Sequence, residues 1–167
     1  WLVQVKALLH HVLAGVLLHA FLRTRKLNPA AAALGGVVWI ASLPFIIHKA
    51  SAVEWPLVWA PLIFIAIDRV VDRRCEPGSW RRGAFLATAI ALSGTAGNPP
   101  GFFYALLGGL GYGAFRLLPV VVAAARAKAR RLEIGGIVRS LAVALAISVA
   151  LLAVVFVPLH EATERSV

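Results

Sequence analysis

The sequence predicts an all-α protein: a polytopic transmembrane helix bundle of about six spans, forming a single domain over residues 1–167. Two observations carry that expectation. Of all residues, 60% are hydrophobic, and the mean hydropathy of +0.85 exceeds what a soluble domain shows. The 17 Lys and Arg residues are also unevenly placed, since all but Lys6, Lys49 and Arg165 fall within Arg23–Lys26, Arg69–Arg82 and Arg116–Arg139. Those three stretches are every second connection between apolar segments. Loops that remain in the cytosol retain Lys and Arg, so the pattern predicts sidedness as well as spans.

Span one covers about Val3–Leu22 and ends at Arg23, Arg25 and Lys26. Asn28 and Pro29 open span two, Ala30–Ile47, because a proline in the first helical turn gives up an N–H that has no partner there anyway. After the short turn His48–Glu54, span three starts near Glu54–Pro56, with Ser51 or Glu54 as its cap. It runs to Ile67 and meets a charged loop, Asp68–Arg82. Span four is Gly83–Gly97, span five about Gly101–Leu118 and span six about Ile137–Val157. Spans three and four are shorter than the roughly 20 residues that cross about 30 Å of hydrocarbon. They either extend into the interfaces, helped by Trp55 and by Arg69 and Arg82, or stop beneath an outward-facing aqueous cavity. Gly109 and Gly113 have the small-residue spacing that lets helices approach closely in lipid, read here as internal packing. Pro119–Ile134 reads as a basic interfacial helix, begun by Pro119 and ended by Gly135–Gly136, or else as a solvated connector.

With the basic loops inside, the connections His48–Glu54 and Gly97–Gly101, the tail from Pro158 and the N-terminus lie outside. The net charge of +10 then finds its partner in the lipid bilayer, specifically the anionic inner leaflet, and not in nucleic acid, because the charges flank spans and form no groove. Cys75 is the only cysteine, so an intrachain disulfide and a cysteine-based metal site are excluded. The chain contains no Met and begins inside an apolar run, which reads as an internal piece of a larger membrane protein.

Candidate chemistry collects on the outer side. His48, Lys49 and Glu54 share one turn, Asn98 occupies the next, and His160 and Glu161 follow span six. His10, His11 and Gln4 lie in the outer half of span one. Polar and ionisable groups at membrane depth are unfavourable without a cavity or ligand, so this set marks a candidate substrate site. Glu54 could act as a base or pair with Lys49, and the histidines could bind phosphate or simply lie at the interface. There is no P-loop, nucleophile elbow or HExxH, no metal-ligand spacing and no cofactor motif.

Three passages resemble the YfhO-like family of bacterial multispanning membrane proteins, whose architecture is similar to that of GT-C glycosyltransferases. They are Ala30–Lys49 followed by EWPLVWAPLIFIAIDRV at Glu54–Val70, SGTAGNPPGFFYALL at Ser93–Leu107, and VPLHEATERSV at Val157–Val167. Asn98 and Pro100 stand where the family pattern has His and Gln. The resemblance implies the bacterial cytoplasmic membrane, a polyprenyl-phosphate sugar donor and transfer at the outer face. It also implies that Lys49, with His48 or His160, neutralises donor phosphate while Asn98 bonds sugar or acceptor. It carries over no catalytic residue, because the acidic group such enzymes use would precede Trp1. A transporter and a non-catalytic scaffold subunit are the competing readings; an inverted repeat between residues 1–82 and 83–167, which a transporter would favour, is not visible.

Overall fold

The computed structural model describes residues 1–42, 55–126 and 131–165. Among them are six α-helices and no strand: α1 (Leu2–Thr24), α2 (Pro29–Ile40), α3 (Ala60–Asp72) preceded by a 3-10 turn (Pro56–Trp59), α4 (Ser79–Gly94), α5 (Pro99–Arg126) and α6 (Arg131–Glu164). Three are long and apolar enough to cross a membrane, over Gln4–Thr24, Pro99–Ala124 and Ile134–Pro158. The others are shorter. At 1.5 Å per residue the 16 residues of α4 reach about 24 Å and the 12 of α2 about 18 Å.

Local chemistry explains the boundaries. Asn28 Oδ1 accepts a hydrogen bond from the Ala31 N–H at 2.7 Å, and Pro29 fills the first turn of α2. Gly78 and Gly97 have φ of +90°, a conformation that suits glycine, at the start of α4 and in the turn before α5. Span three begins as the 3-10 turn, with no side-chain cap on Trp55; Ser51 and Glu54 lie outside the described residues.

Several expected boundaries are corrected. The charged loop after span three does not begin at Asp68, since α3 continues to Asp72. No separate helix starts at Pro119 either, because α5 runs through it to Arg126. A proline inside a helix forfeits one backbone hydrogen bond, and this one is tolerated within a long apolar helix. In the same way α6 continues through Pro158 to Glu164. Nor does Gly135–Gly136 end a helix, for both residues lie inside α6. Gly136 is a contact point instead: a Cβ there would collide with the carbonyl oxygen of Arg74.

The packing is by small residues, as expected of helices that associate in lipid. Ala60, Ala66, Ala89, Ala105 and Ala144 are buried in the main cluster together with Ile63, Val70 and Leu86. Gly15 and Gly36 bring α1 and α2 into backbone contact, since a Cβ on Gly36 would lie 2.7 Å from the Gly15 carbonyl oxygen. Gly83 does the same for α4 against Ser140 and Val143 of α6. Gly109 and Gly113 face Ile63 and Ile67 of α3.

The contacts also fix direction. Arg25–Asp68, Phe21–Phe64 and His10–Trp55 make α1 and α3 parallel, and Ile63–Gly109 and Ile67–Gly113 make α5 parallel to both. Gly83–Ser140 and Gly94–Leu152 make α4 and α6 parallel to one another, while Ser93–Pro56 and Arg69–Phe85 set α4 antiparallel to α3. The bundle thus has one end where basic stretches meet and another bearing Trp55, Ser93 and Phe102. Its periphery is apolar: Leu8 is 66% exposed, Leu110 71%, Leu145 67% and Val154 74%. Continuous apolar faces of this kind require an apolar surrounding.

Gly83→Ala should destabilise the protein by about 1–3 kcal/mol, because the new methyl would meet backbone that cannot move aside. Gly111→Ala, which meets open space, should leave stability unchanged. Thermal unfolding of the two variants in one detergent checks the pair.

Candidate functional site

The most complete polar site among the described residues lies at the basic end. Asp68, on the last turns of α3, is 6% exposed. Its Oδ1 accepts a hydrogen bond from the Tyr112 hydroxyl at 2.8 Å and lies 2.7 Å from Arg116 Nε. Its Oδ2 accepts from Arg25 Nη1 at 3.4 Å. Arg116 also donates from Nη2 to Asp72 Oδ1 at 2.5 Å. Two arginines thereby meet two aspartates, and three helices are joined, since Arg25 follows α1, the aspartates belong to α3, and Tyr112 and Arg116 to α5. Phe21, Phe64 and Tyr112 pack ring against ring on the bundle side, with centroids 4.9–5.6 Å apart. Helical spacing produces the match: Asp68 and Asp72 are four residues apart, as are Tyr112 and Arg116, so each pair occupies one helix face. That pair of spacings is the signal by which the sequence could reveal this cluster, which otherwise reads only as part of a charged loop.

The other cations at this end have distinct tasks. Arg82 is 8% exposed and donates to the carbonyls of Glu76 at 3.0 Å and Pro77 at 3.3 Å, closing the α3–α4 connection. Arg69 lies over the Phe85 ring at 4.3 Å. Arg74 donates from Nη1 to the Val71 carbonyl at 2.9 Å.

A groove of about 600 Å³ runs between α5 and α6, floored by α3 and α4. Its lining extends from Val71, Leu117 and Ile137 at the basic end to Phe102 and Leu152 at the other. Ser148 is the single polar side chain in that lining, 5% exposed, and its hydroxyl has no hydrogen-bond partner among the described residues. The groove therefore offers apolar surface and almost no hydrogen-bonding capacity.

At the opposite end, Lys6 Nζ sits 3.8 Å above the Trp55 ring, and His10 stacks on the same indole with centroids 5.3 Å apart. His10 Nδ1 pairs with the Lys6 carbonyl at 2.8 Å. A cation–π contact of this kind contributes about 0.5–2 kcal/mol depending on desolvation. Sequence pattern places His10 on this side and leaves Lys6 as an isolated charge; the structure joins them.

Of the sequence-predicted site residues, His48, Lys49 and Glu54 lie outside the described residues. Asn98 caps α5, its Oδ1 accepting from the Gly101 N–H at 2.9 Å. This leaves the amide group as the part able to meet a ligand. His160 pairs with Glu164 on its own helix at 3.3 Å, and its side chain is 75% exposed. Glu161 is exposed on the same terminal turn. No hydrogen bond or ion pair joins Asn98 to His160 or Glu161 among the described residues. Among those residues, too, no three His, Cys, Asp or Glu side chains come together as a metal site.

These features define, among the described residues, an all-helical bundle in which three helices are long and apolar enough to cross a membrane, with polar chemistry at both ends and an apolar groove between two long helices. Comparison with known protein families, characterised proteins and solved structures finds nothing that matches this chain.

Asp68→Ala leaves two arginines facing one another without their shared carboxylate and should cost about 3–5 kcal/mol. Asp72→Ala, at a side chain 56% exposed, should cost about 1 kcal/mol or less. Asp68→Asn, which keeps an acceptor for Tyr112, should fall between them in detergent unfolding measurements.

Proposed function

We propose that this chain is the membrane core of a GT-C-type glycosyltransferase with six spans in the bacterial cytoplasmic membrane. It transfers a sugar from a polyprenyl-phosphate donor at the outer face, the face opposite the basic connections. The observation that carries the reading is the Lys6–His10–Trp55 cluster at the end remote from the Asp68 network. A cation and an imidazole packed on one indole suit a phosphate group, and Trp55 follows directly in sequence from His48, Lys49 and Glu54. Asn98 and His160 lie at the outer ends of α5 and α6, where a donor headgroup and an acceptor would meet. In this scheme Lys6 and His10 add to the phosphate-neutralising role of Lys49 and His48, and the Asn98 amide donates to sugar or acceptor.

The resemblance of Glu54–Val70, Ser93–Leu107 and Val157–Val167 to YfhO-like proteins supports the same reading. A transporter of hydrophilic substrates draws less support, because the groove between α5 and α6 presents a single hydroxyl along its length.

In the intact protein, Lys6→Ala and His10→Ala should each lower transfer from a radiolabelled polyprenyl-linked sugar by about tenfold or more, consistent with loss of a charge-assisted contact to phosphate. Transfer and donor binding at wild-type levels in both variants would overturn the proposal.

A further inference from the structure

We propose that the outer face of α4 at the basic end, with Arg69 of α3 beside it, is a binding site for an anionic phospholipid of the leaflet at that end, its phosphate held between Arg69 and Arg81. The inference rests on the chain's crossing a membrane and is independent of the glycosyltransferase reading, which concerns the opposite end.

The first observation is charge. Around the α3–α4 corner the acids are already matched: Asp68 and Asp72 accept from Arg25 and Arg116, and Glu76 lies 3.9 Å from Arg73. Arg82 is buried on the carbonyls of Glu76 and Pro77, and Arg74 donates to that of Val71. Arg69 and Arg81 differ from these. Both are exposed, and neither makes a side-chain hydrogen bond or ion pair with another described residue. A guanidinium stays protonated throughout the physiological range, so the corner carries positive charge that the described residues do not neutralise.

The second is geometry, since each of the two cations is held on a ring. Arg69, in the last turn of α3, has its guanidinium carbon 4.3 Å from the centre of the Phe85 ring. Arg81, in the first turn of α4, lies 5.4 Å from that of Trp80. Phe85 is four residues beyond Arg81, so the residue that carries Arg69 neighbours Arg81 on one face of the helix. A guanidinium resting on an aromatic ring engages its flat face and keeps the N–H donors along its edge. Two such edges side by side suit the oxygens of a phosphate, which arginine recognises through paired donors.

The third is the surface that leads away from the pair, which selects a lipid over a free phosphate. Arg81, Phe85, Thr88 and Leu92 fall at i, i+4, i+7 and i+11, within an arc of about 60° at about 3.6 residues per turn. The Thr88 hydroxyl donates to the Ala84 carbonyl at 2.9 Å, which withdraws its hydrogen from that surface. Leu92, 36% exposed, continues the stripe. From Arg81 to Leu92 the helix rises about 16 Å, close to one leaflet of a hydrocarbon core about 30 Å thick. Beside Arg81, Trp80 is 59% exposed, an amphipathic ring of the kind that settles at the membrane–water boundary. Headgroup, boundary and acyl chain each meet matching chemistry along one helix.

The test uses the full chain in nanodiscs and two probes with the same photoactivatable acyl chain, one a phosphatidylglycerol and the other a phosphatidylcholine. The anionic probe should label the Phe85–Leu92 stretch of α4 about fivefold more than the zwitterionic one. Arg69→Gln and Arg81→Gln should each lower that labelling about fivefold, while Arg69→Lys and Arg81→Lys should each retain at least about half of it. Arg73→Gln, at a side chain 64% exposed and matched by Glu76, should change it by less than about twofold. If a Gln variant does not fold, the wild-type preference should fall in 1 M salt, where the screening length is about 3 Å. Excess glycerol phosphate should leave the labelling unchanged. Equal labelling by the two probes, Gln variants that label like the wild type, an equal loss in Arg73→Gln, a preference indifferent to salt, or displacement by glycerol phosphate would overturn the proposal.

Discussion

Asp68 is a carboxylate on a helix whose other buried neighbours are Ile63, Ile65, Ala66, Val70 and Val71, and the arrangement of three helices follows from neutralising it. An isolated ion in an apolar setting is expensive enough that it is found paired or not at all. Arg116 and Tyr112 from α5 and Arg25 from the end of α1 supply the partners, and Asp72 completes the charge balance around Arg116. Because the partners come from two further helices, satisfying one carboxylate fixes the axial register of α1, α3 and α5 together. Hydrophobic packing alone would leave that register loose, since one apolar turn substitutes easily for another. The parallel course of these helices, and hence the gathering of basic residues at one end, rests on this network.

Lipid imposes the second constraint. With no hydrophobic driving force between spans, helices adhere where backbones come close, which accounts for Gly15 against Gly36, Gly83 against Ser140 and Gly136 against Arg74. Large side chains such as Leu110, Phe115 and Val154 are left to face outward. The groove lies between α5 and α6, where Gly109 and Gly113 of α5 turn to α3 instead. Its apolar character comes from the side chains that the two long helices, together with α3 and α4, turn toward it.

Much of this is legible in the chain. Apolar periods and charge spacing locate the long helices near Val3–Leu22, Gly101–Leu118 and Ile137–Val157, and Asn28–Pro29 announces the start of α2. Residues that normally punctuate helices mislead at Pro119 and at Gly135–Gly136. There, the length of an uninterrupted apolar helix outweighs a single proline, and the glycines serve close approach instead of termination. Asp68 reads as loop because charge after an apolar run usually marks an exit from the membrane. Its burial depends on Arg116, 48 residues away in sequence (116 minus 68), and local pattern does not report such a pairing. Lys6 looks isolated for the same reason, as its partner Trp55 lies in a distant segment of the chain.

The proposed orientation sets the two ends of the bundle on opposite sides of a bilayer, with Cys75 at the basic end and Thr95 at the other. Cys75 is exposed and is the chain's only cysteine, so it is a ready-made reporter. Modification by a membrane-impermeant maleimide, in right-side-out and inverted vesicles, compares native Cys75 with a Thr95→Cys substitution made in a Cys75→Ser background. Cys75 should react only from the cytosolic side, and the thiol introduced by Thr95→Cys only from the outer side. Reaction of both from the same side would contradict the arrangement.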